Sequence, residues 1–211
     1  MTIWNQLEDP TKTAIRFAKI EELKNAKSPT TKPYATNPAA QPGTVVFMPP
    51  THNTGDLMTY LINTCRSMDM QMYGWDHEAL QMAIVNRKLA QPTWDVKVLI
   101  NRNGYMDAGS TMELVHKSPS LRGSNWFILG TAEGDTNGRY PGRIMHRKAA
   151  IFDGCWFVHG STNFDPSSVE YQANTLSITY DPALCGEMQI LFDRTRNYNI
   201  ARGTAWYQIP R

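Results

Sequence analysis

Between residues 146 and 163 the chain reads His-Arg-Lys-Ala-Ala-Ile-Phe-Asp-Gly-Cys-Trp-Phe-Val-His-Gly-Ser-Thr-Asn. On a strand, side chains two apart share a face, so His146 and Lys148 point the same way while Ala149 and Ile151 alternate towards the other layer. An imidazole and an ammonium are then presented side by side. Asp153-Gly154 is a strong hairpin signal, and a hairpin there returns Gly160, Ser161 and Asn163 to the level of His146. Gly160 removes a side chain, Ser161 supplies a hydroxyl and Asn163 supplies amide donors. A nucleophile or proton shuttle beside a positive charge and several donors is what a cluster of phosphoryl oxygens requires.

With those residues in place, the segment resembles the signature of the phospholipase D superfamily: HxK, four residues, D, six residues, GSxN. His146, Lys148, Asp153, Gly160, Ser161 and Asn163 occupy its fixed positions. From about residue 44 to 195 the order of elements is also similar to that of the family's small single-motif bacterial endonucleases. The resemblance implies that His146 attacks phosphorus to form a phosphohistidine while a counterpart histidine protonates the leaving oxygen. It implies further that Lys148 and Asn163 hold the non-bridging oxygens, that Ser161 adds a hydrogen bond, and that Asp153 sits behind them. A covalent route through histidine needs no divalent metal, and no cofactor is implied. Superfamily chemistry uses two facing motifs and this chain has one. The resemblance therefore implies a homodimer with its site on the two-fold axis, one His146 from each chain. One departure stands out. Thirteen residues after the motif serine the small nucleases carry a glutamate that orients the catalytic histidine, and here the residue is Asn174. Its carbonyl can accept the same hydrogen bond but lacks the charge that stabilises an imidazolium. Glu170 and Glu187 are the nearby acids that could stand in.

The elements that must position this segment follow from periodicity. Residues 11–27 carry Ile15, Ala18, Ile20 and Leu23 at helical intervals behind Pro10, and residues 28–43 hold four prolines and read as an extended connector. From residue 44 short apolar runs alternate with helical periods, the mark of an α/β chain. Strands are expected at 44–48, 70–75, 96–100, 126–129, 144–152, 155–160 and 174–180. Helices are expected around Leu57 to Cys65, at 77–88, 106–115 and 183–194, and a glycine-rich loop at 130–143. The expected fold is a mixed β-sheet flanked by helices on both faces, a phospholipase D/nuclease-like sandwich. Residues 1–42 form an N-terminal helical extension and linker, and 43–211 the catalytic domain.

Composition narrows the function. Of 211 residues 41% are hydrophobic and 19% charged, which excludes wholesale disorder. The formal net charge of +2 belongs to residues 1–42, with six basic and four acidic side chains; the rest is balanced at fifteen of each. Any polyanion site is then a local patch. Arg139, Arg143 and Arg147 beside Lys148 make the one basic run free of acids, and Arg139 and Arg143 are candidate contacts to nucleic-acid phosphates. His52, in the loop after the first strand, is a candidate substrate contact, as are Tyr73, Trp75, Tyr105 and Tyr140 for stacking on bases. His159 is expected to be partly buried. Three cysteines without CxxC spacing support neither a disulfide framework nor a zinc site, and a reducing, cytoplasmic setting is expected. No segment has the apolar length of a membrane span, so no insertion is expected. The leading expectation is an endonuclease acting on DNA or RNA. Two alternatives stand beside it: a phospholipase or phosphatidyl transferase, which should carry an apolar membrane-facing surface, and a nucleic-acid-binding module whose catalysis has decayed.

Overall fold

The structure is a computed structural model that describes residues 10–25, 44–48, 54–101, 121, 126–130 and 145–201. In chain order its elements are α1 (Pro10–Asn25), β1 (Thr44–Phe47), α2 (Thr54–Thr64), β2 (Ser67–Met72), α3 (Glu78–Ala90), β3 (Asp95–Asn101), β4 (Phe127–Gly130), β5 (Lys148–Phe152), β6 (Trp156–Gly160), α4 (Pro166–Glu170), β7 (Leu176–Tyr180) and α5 (Pro182–Ala201). The seven strands make one mixed sheet in the order β1-β7-β6-β5-β2-β3-β4. β2, β3 and β4 run parallel, joined through helical crossovers where described, while β5, β6 and β7 form an antiparallel meander that meets β2.

The pleat divides the core in two. Met68, Met70 and Met72 of β2, Ala150 and Phe152 of β5, and Trp156 and Val158 of β6 pack with Leu57, Met58, Leu61 and Ile62 of α2 and Leu80, Ile84 and Val85 of α3. The alternate residues Ile151 and Phe157 pack against Cys185 of α5, and Leu99 and Ile128 against Phe192 of the same helix. Alternation along each strand thus sends neighbouring side chains to helices on opposite faces, the expected sandwich.

α1 shares this core. Ile20 is fully buried, and Phe17 packs on Trp156 at 4.6 Å between ring centroids. The Arg16 guanidinium donates to the Asp153 carboxylate at 2.9 Å. The helical half of the N-terminal segment is therefore docked on its own chain.

Several strand limits differ from the sequence expectation, among them the start of β2, which is Ser67 and not residue 70. β5 begins at Lys148, so His146 and Arg147 belong to the approach to the strand, not to its ladder. β2 ends at Met72, and β7 starts at Leu176. α4 was not expected from periodicity because it is too short to show one; its signal is the cap, Asp165 followed by Pro166 at the first helical position. The expected helix at 106–115 and the glycine-rich loop beyond residue 130 lie outside the described residues. Among those described, no helix is long and apolar enough to cross a membrane.

The hairpin between β5 and β6 explains the Asp153-Gly154 signal. Both residues have positive φ, 56° and 67°, and the Cys155 amide closes the turn onto the Phe152 carbonyl at 3.2 Å. At the far end of β6, Gly160 is needed for another reason. A Cβ there would lie 2.0 Å from the Thr175 carbonyl oxygen, a backbone atom of the neighbouring chain segment. Gly160→Ala is expected to prise β6 from β7 and to destabilise the fold by about 2–4 kcal/mol, measurable as a fall in the thermal midpoint.

Candidate active site

The two halves of the motif meet at one end of β5 and β6. Lys148 is the first residue of β5, opposite Met72 of β2, and its side chain lies buried on the α2/α3 face. Its Nζ sits 3.2 Å from His146 Nε2 and donates to the His146 carbonyl at 3.0 Å. An ammonium has only donors, so while Lys148 is charged Nε2 is the acceptor, as in a neutral ring that carries its proton on Nδ1. That is the tautomer whose Nε2 lone pair can attack an electrophile. The imidazole itself is exposed. Upstream, the Met145 amide donates to the buried Asn101 side chain at 2.9 Å, which ties the approach to His146 to the end of β3.

Around this pair, Tyr73 follows directly on β2. Its ring centroid is 4.6 Å from that of His146, and Lys148 Nζ lies 5.0 Å over its face. The next amide, Gly74 N–H, donates to Asn163 Oδ1 at 3.2 Å. Asn163 is further held through its side chain by Asp165. Asp165 also caps α4, accepting from the Ser168 amide at 2.6 Å and the Ser168 hydroxyl at 2.7 Å. Burial pushes the Asp165 carboxyl up, but the hydrogen bonds from Ser167, Ser168 and Asn163 outweigh it and hold it below its ordinary value. Burial lowers the Lys148 ammonium, offset in part by the Asp165 charge, so Lys148 loses its proton at a lower pH than an ordinary lysine. Because the charged form is the one that can hold a phosphoryl oxygen, the alkaline limb of any turnover should fall below the ordinary lysine range. A pH–rate profile checks this, and Asp165→Asn should move the limb lower still.

The remaining candidates fall in different places. Ser161 Oγ donates to Asn174 Oδ1 at 2.9 Å and accepts from the Thr175 amide at 3.0 Å, so Asn174 meets the motif serine. Asn174 Nδ2 is turned to the Ser168 carbonyl at 3.3 Å. Glu170 faces His77 Nε2 at 3.7 Å, and Glu187 is exposed on α5. Asp153 lies at the opposite end of β5 from Lys148, about 16 Å along the strand at ~3.3 Å per residue. There it accepts from the Arg66 and Ser67 amides at 2.5 and 3.0 Å and from Arg16. It locks the hairpin to the start of β2 and to α1. Trp75 is corrected as a base-stacking candidate: it is 1% exposed, bridged to Phe164 and stacked on that ring at 6.0 Å. His159 is exposed, its ring lying on Phe157, because Phe157 takes the covered position on that face of β6. Arg147 is turned to the α5 face, donating to Gln71 and Thr195. His52, Arg139, Arg143, Tyr105 and Tyr140 lie outside the described residues.

Asp165 was not singled out from the sequence, and Tyr73, a candidate there for stacking on bases, instead meets His146 and Lys148. The three cysteines are free and buried, with burial pushing Cys65 and Cys185 up to about 12. Among the described residues no three His, Cys, Asp or Glu side chains gather as metal ligands.

A paired imidazole and ammonium thus lie beside an amide held by a carboxylate at one end of a mixed sheet. Residues 57–196 match the family described as "Cardiolipin synthase, PLD-like domain", and the chain belongs to that family. The fold is similar to that of NucT from Helicobacter pylori, with a TM-score of 0.61 and 21% identity over 74% of this chain and 96% of that one. Similar too is Nuc from Salmonella typhimurium, a phospholipase D family member, at 0.57 and 19% identity over 75% of this chain and 96% of that one. Phosphatidylserine synthase of Haemophilus influenzae matches at 0.54 and 11% identity, over 74% of this chain but 38% of its own. No curated protein sequence matches the chain.

Proposed function

We propose that the protein is a metal-independent phosphodiesterase acting as an endonuclease, its site completed by a second copy of the chain across a two-fold axis. One observation carries the choice of substrate. A single HxK…GSxN set sits on a chain that spans 96% of two compact bacterial proteins of this fold but only 38% of the phosphatidylserine synthase. NucT and the family member Nuc therefore resemble it as whole molecules, whereas the lipid enzyme does so only in part. The body's balanced charge leaves the affinity for a polyanion to the basic run at residues 139–148.

In the reaction, a phosphoryl oxygen draws the Lys148 ammonium from His146 Nε2 and frees the lone pair. Nε2 then bonds to phosphorus as the P–O bond to the leaving strand breaks, and His146 of the second copy, which enters as the imidazolium, gives that oxygen its proton and becomes neutral. Water, deprotonated by the same second histidine, attacks phosphorus, the N–P bond breaks, and both imidazoles return to their starting state. Lys148 and Asn163 hold the non-bridging oxygens, and Ser161 adds a donor.

The test is incubation of wild type and His146→Ala with labelled single- and double-stranded DNA, RNA and phospholipid vesicles, all in excess EDTA. Cleavage of nucleic acid by wild type alone is expected. Cleavage of lipid alone would transfer the reading to a phosphatidyl transferase, and binding without turnover in either form would make the chain a binding module. For the dimer, mixing His146→Ala subunits in excess with wild type should suppress activity by forming hybrids that lack one histidine, and a fully active monomer would contradict it.

A further inference from the structure

We propose that Tyr73 is a positioning residue that holds His146 and Lys148 as a pair and lets the ammonium pass from the imidazole to the substrate, a role that rests on the phosphoryl-transfer reading above. Both motif side chains meet the same ring. The His146 imidazole is inclined at 56° to it with centroids 4.6 Å apart, a tilted arrangement aromatic pairs favour, and Lys148 Nζ is 5.0 Å over its face. The site of this ring is fixed by the sheet. Met72 is paired with Lys148 across the β2–β5 ladder, so the residue after Met72 leaves the strand beside the approach to His146. The backbone then passes so close to the other half of the motif that a Cβ on Gly74 would lie 3.0 Å from Asn163 Cβ and Cγ. Residues 73 and 74 thus touch both halves of the motif.

Chemistry gives a reason for an aromatic ring here rather than a carboxylate. Lys148 must be held near His146 in the free protein and must then turn to a phosphoryl oxygen with its charge intact. A carboxylate would hold the ammonium but compete with the phosphate for it. A π-face attracts the cation without a net charge, and it places few directional demands on the ammonium's three donors. Lys148 can leave Nε2 and reach the substrate while remaining over the ring. On this account the ring, not the hydroxyl, is what matters.

The test compares Tyr73→Phe with Tyr73→Leu, using bis(p-nitrophenyl) phosphate in EDTA and NMR of the His146 and Lys148 side chains. Tyr73→Phe should stay within about threefold of wild type. Tyr73→Leu should lower kcat by roughly 10- to 100-fold with KM changed by less than about threefold, because alignment is lost and not binding. Its alkaline limb should also move to lower pH, since the ring no longer favours the charged lysine. In wild type and Tyr73→Phe, ring currents should shift the His146 and Lys148 Hε resonances upfield, with nuclear Overhauser contacts to the residue 73 ring. Both should vanish in Tyr73→Leu. Absence of those contacts in wild type, which needs no variant to fold, overturns the proposal. So does a Tyr73→Leu protein with wild-type kcat and an unmoved alkaline limb. If wild type turns over no phosphodiester while the contacts are present, the phosphodiesterase reading fails and the placement of the pair stands.

Discussion

His146→Ala should lose turnover by at least about a thousandfold in metal-free buffer, while its thermal midpoint stays near that of wild type. The exposed imidazole makes few contacts that the fold depends on: the Tyr73 ring and the Lys148 ammonium are its described partners, and both retain other neighbours. A stability loss would therefore be small. The kinetic loss should be large because the side chain supplies the atom that bonds to phosphorus, and among the described residues no second nucleophile stands in its place. Lys148 is the group that holds the non-bridging oxygens in this reaction, and only its uncharged form could attack phosphorus. Ser161 is engaged with Asn174 and Thr175. Single-turnover rates in excess EDTA, with calorimetry on the same preparations, separate the two quantities.

Asp153→Ala should do the reverse. Its carboxylate is 2% exposed and neutralises Arg16, whose side chain is 8% exposed, and it satisfies two backbone amides at the start of β2. Removing one partner breaks the buried pair, which costs about 3–5 kcal/mol. For a chain of this size that is a fall of order 10 °C in midpoint. Alanine at φ 56° adds a backbone penalty of about 1 kcal/mol. Asp153→Asn separates these contributions, because asparagine tolerates that conformation and can still accept from the amides while losing the charge. Its destabilisation should be smaller than that of alanine. In both variants, protein that remains folded at low temperature should keep kcat within a few-fold of wild type, because about 16 Å of strand lies between residue 153 and Lys148. A loss of kcat without loss of stability would return Asp153 to the reacting groups.

The contrast between these two motif residues shows what was legible in the sequence. His146 and Lys148 could be paired because a two-residue spacing places side chains together whether or not the ladder extends that far. Asp153 was not placed correctly: the resemblance put it behind the reacting groups, whereas it lies past the far end of β5 from Lys148, held by Arg16 and the Arg66 and Ser67 amides. Nor could Tyr73 be placed by spacing. Its role depends on Met72 lying opposite Lys148, a pairing between segments 76 residues apart that no local pattern records. Trp75, two residues on, shares its aromatic character but is turned into the core by a bridge to Phe164, because β2 has already ended. The core face of α2 was legible from spacing, whereas the docking of α1 through Ile20, Phe17 and Arg16 was not, since an amphipathic face does not say what covers it.

Asn174 sets the charge next to the motif serine. Its carbonyl holds the motif serine, and no carboxylate occupies that position. Asn174→Glu should place a negative charge beside Ser161 and favour a charged imidazole nearby, shifting the acidic limb of turnover upward.

The covalent histidine is the central claim, and the most direct measurement is rapid quench of wild type with a labelled phosphodiester substrate in excess EDTA, followed by peptide mass spectrometry. The account predicts an acid-labile, base-stable phosphoryl adduct on the peptide carrying His146, formed and lost at rates that match turnover and absent from His146→Ala. Turnover in EDTA with no adduct on that peptide would contradict it.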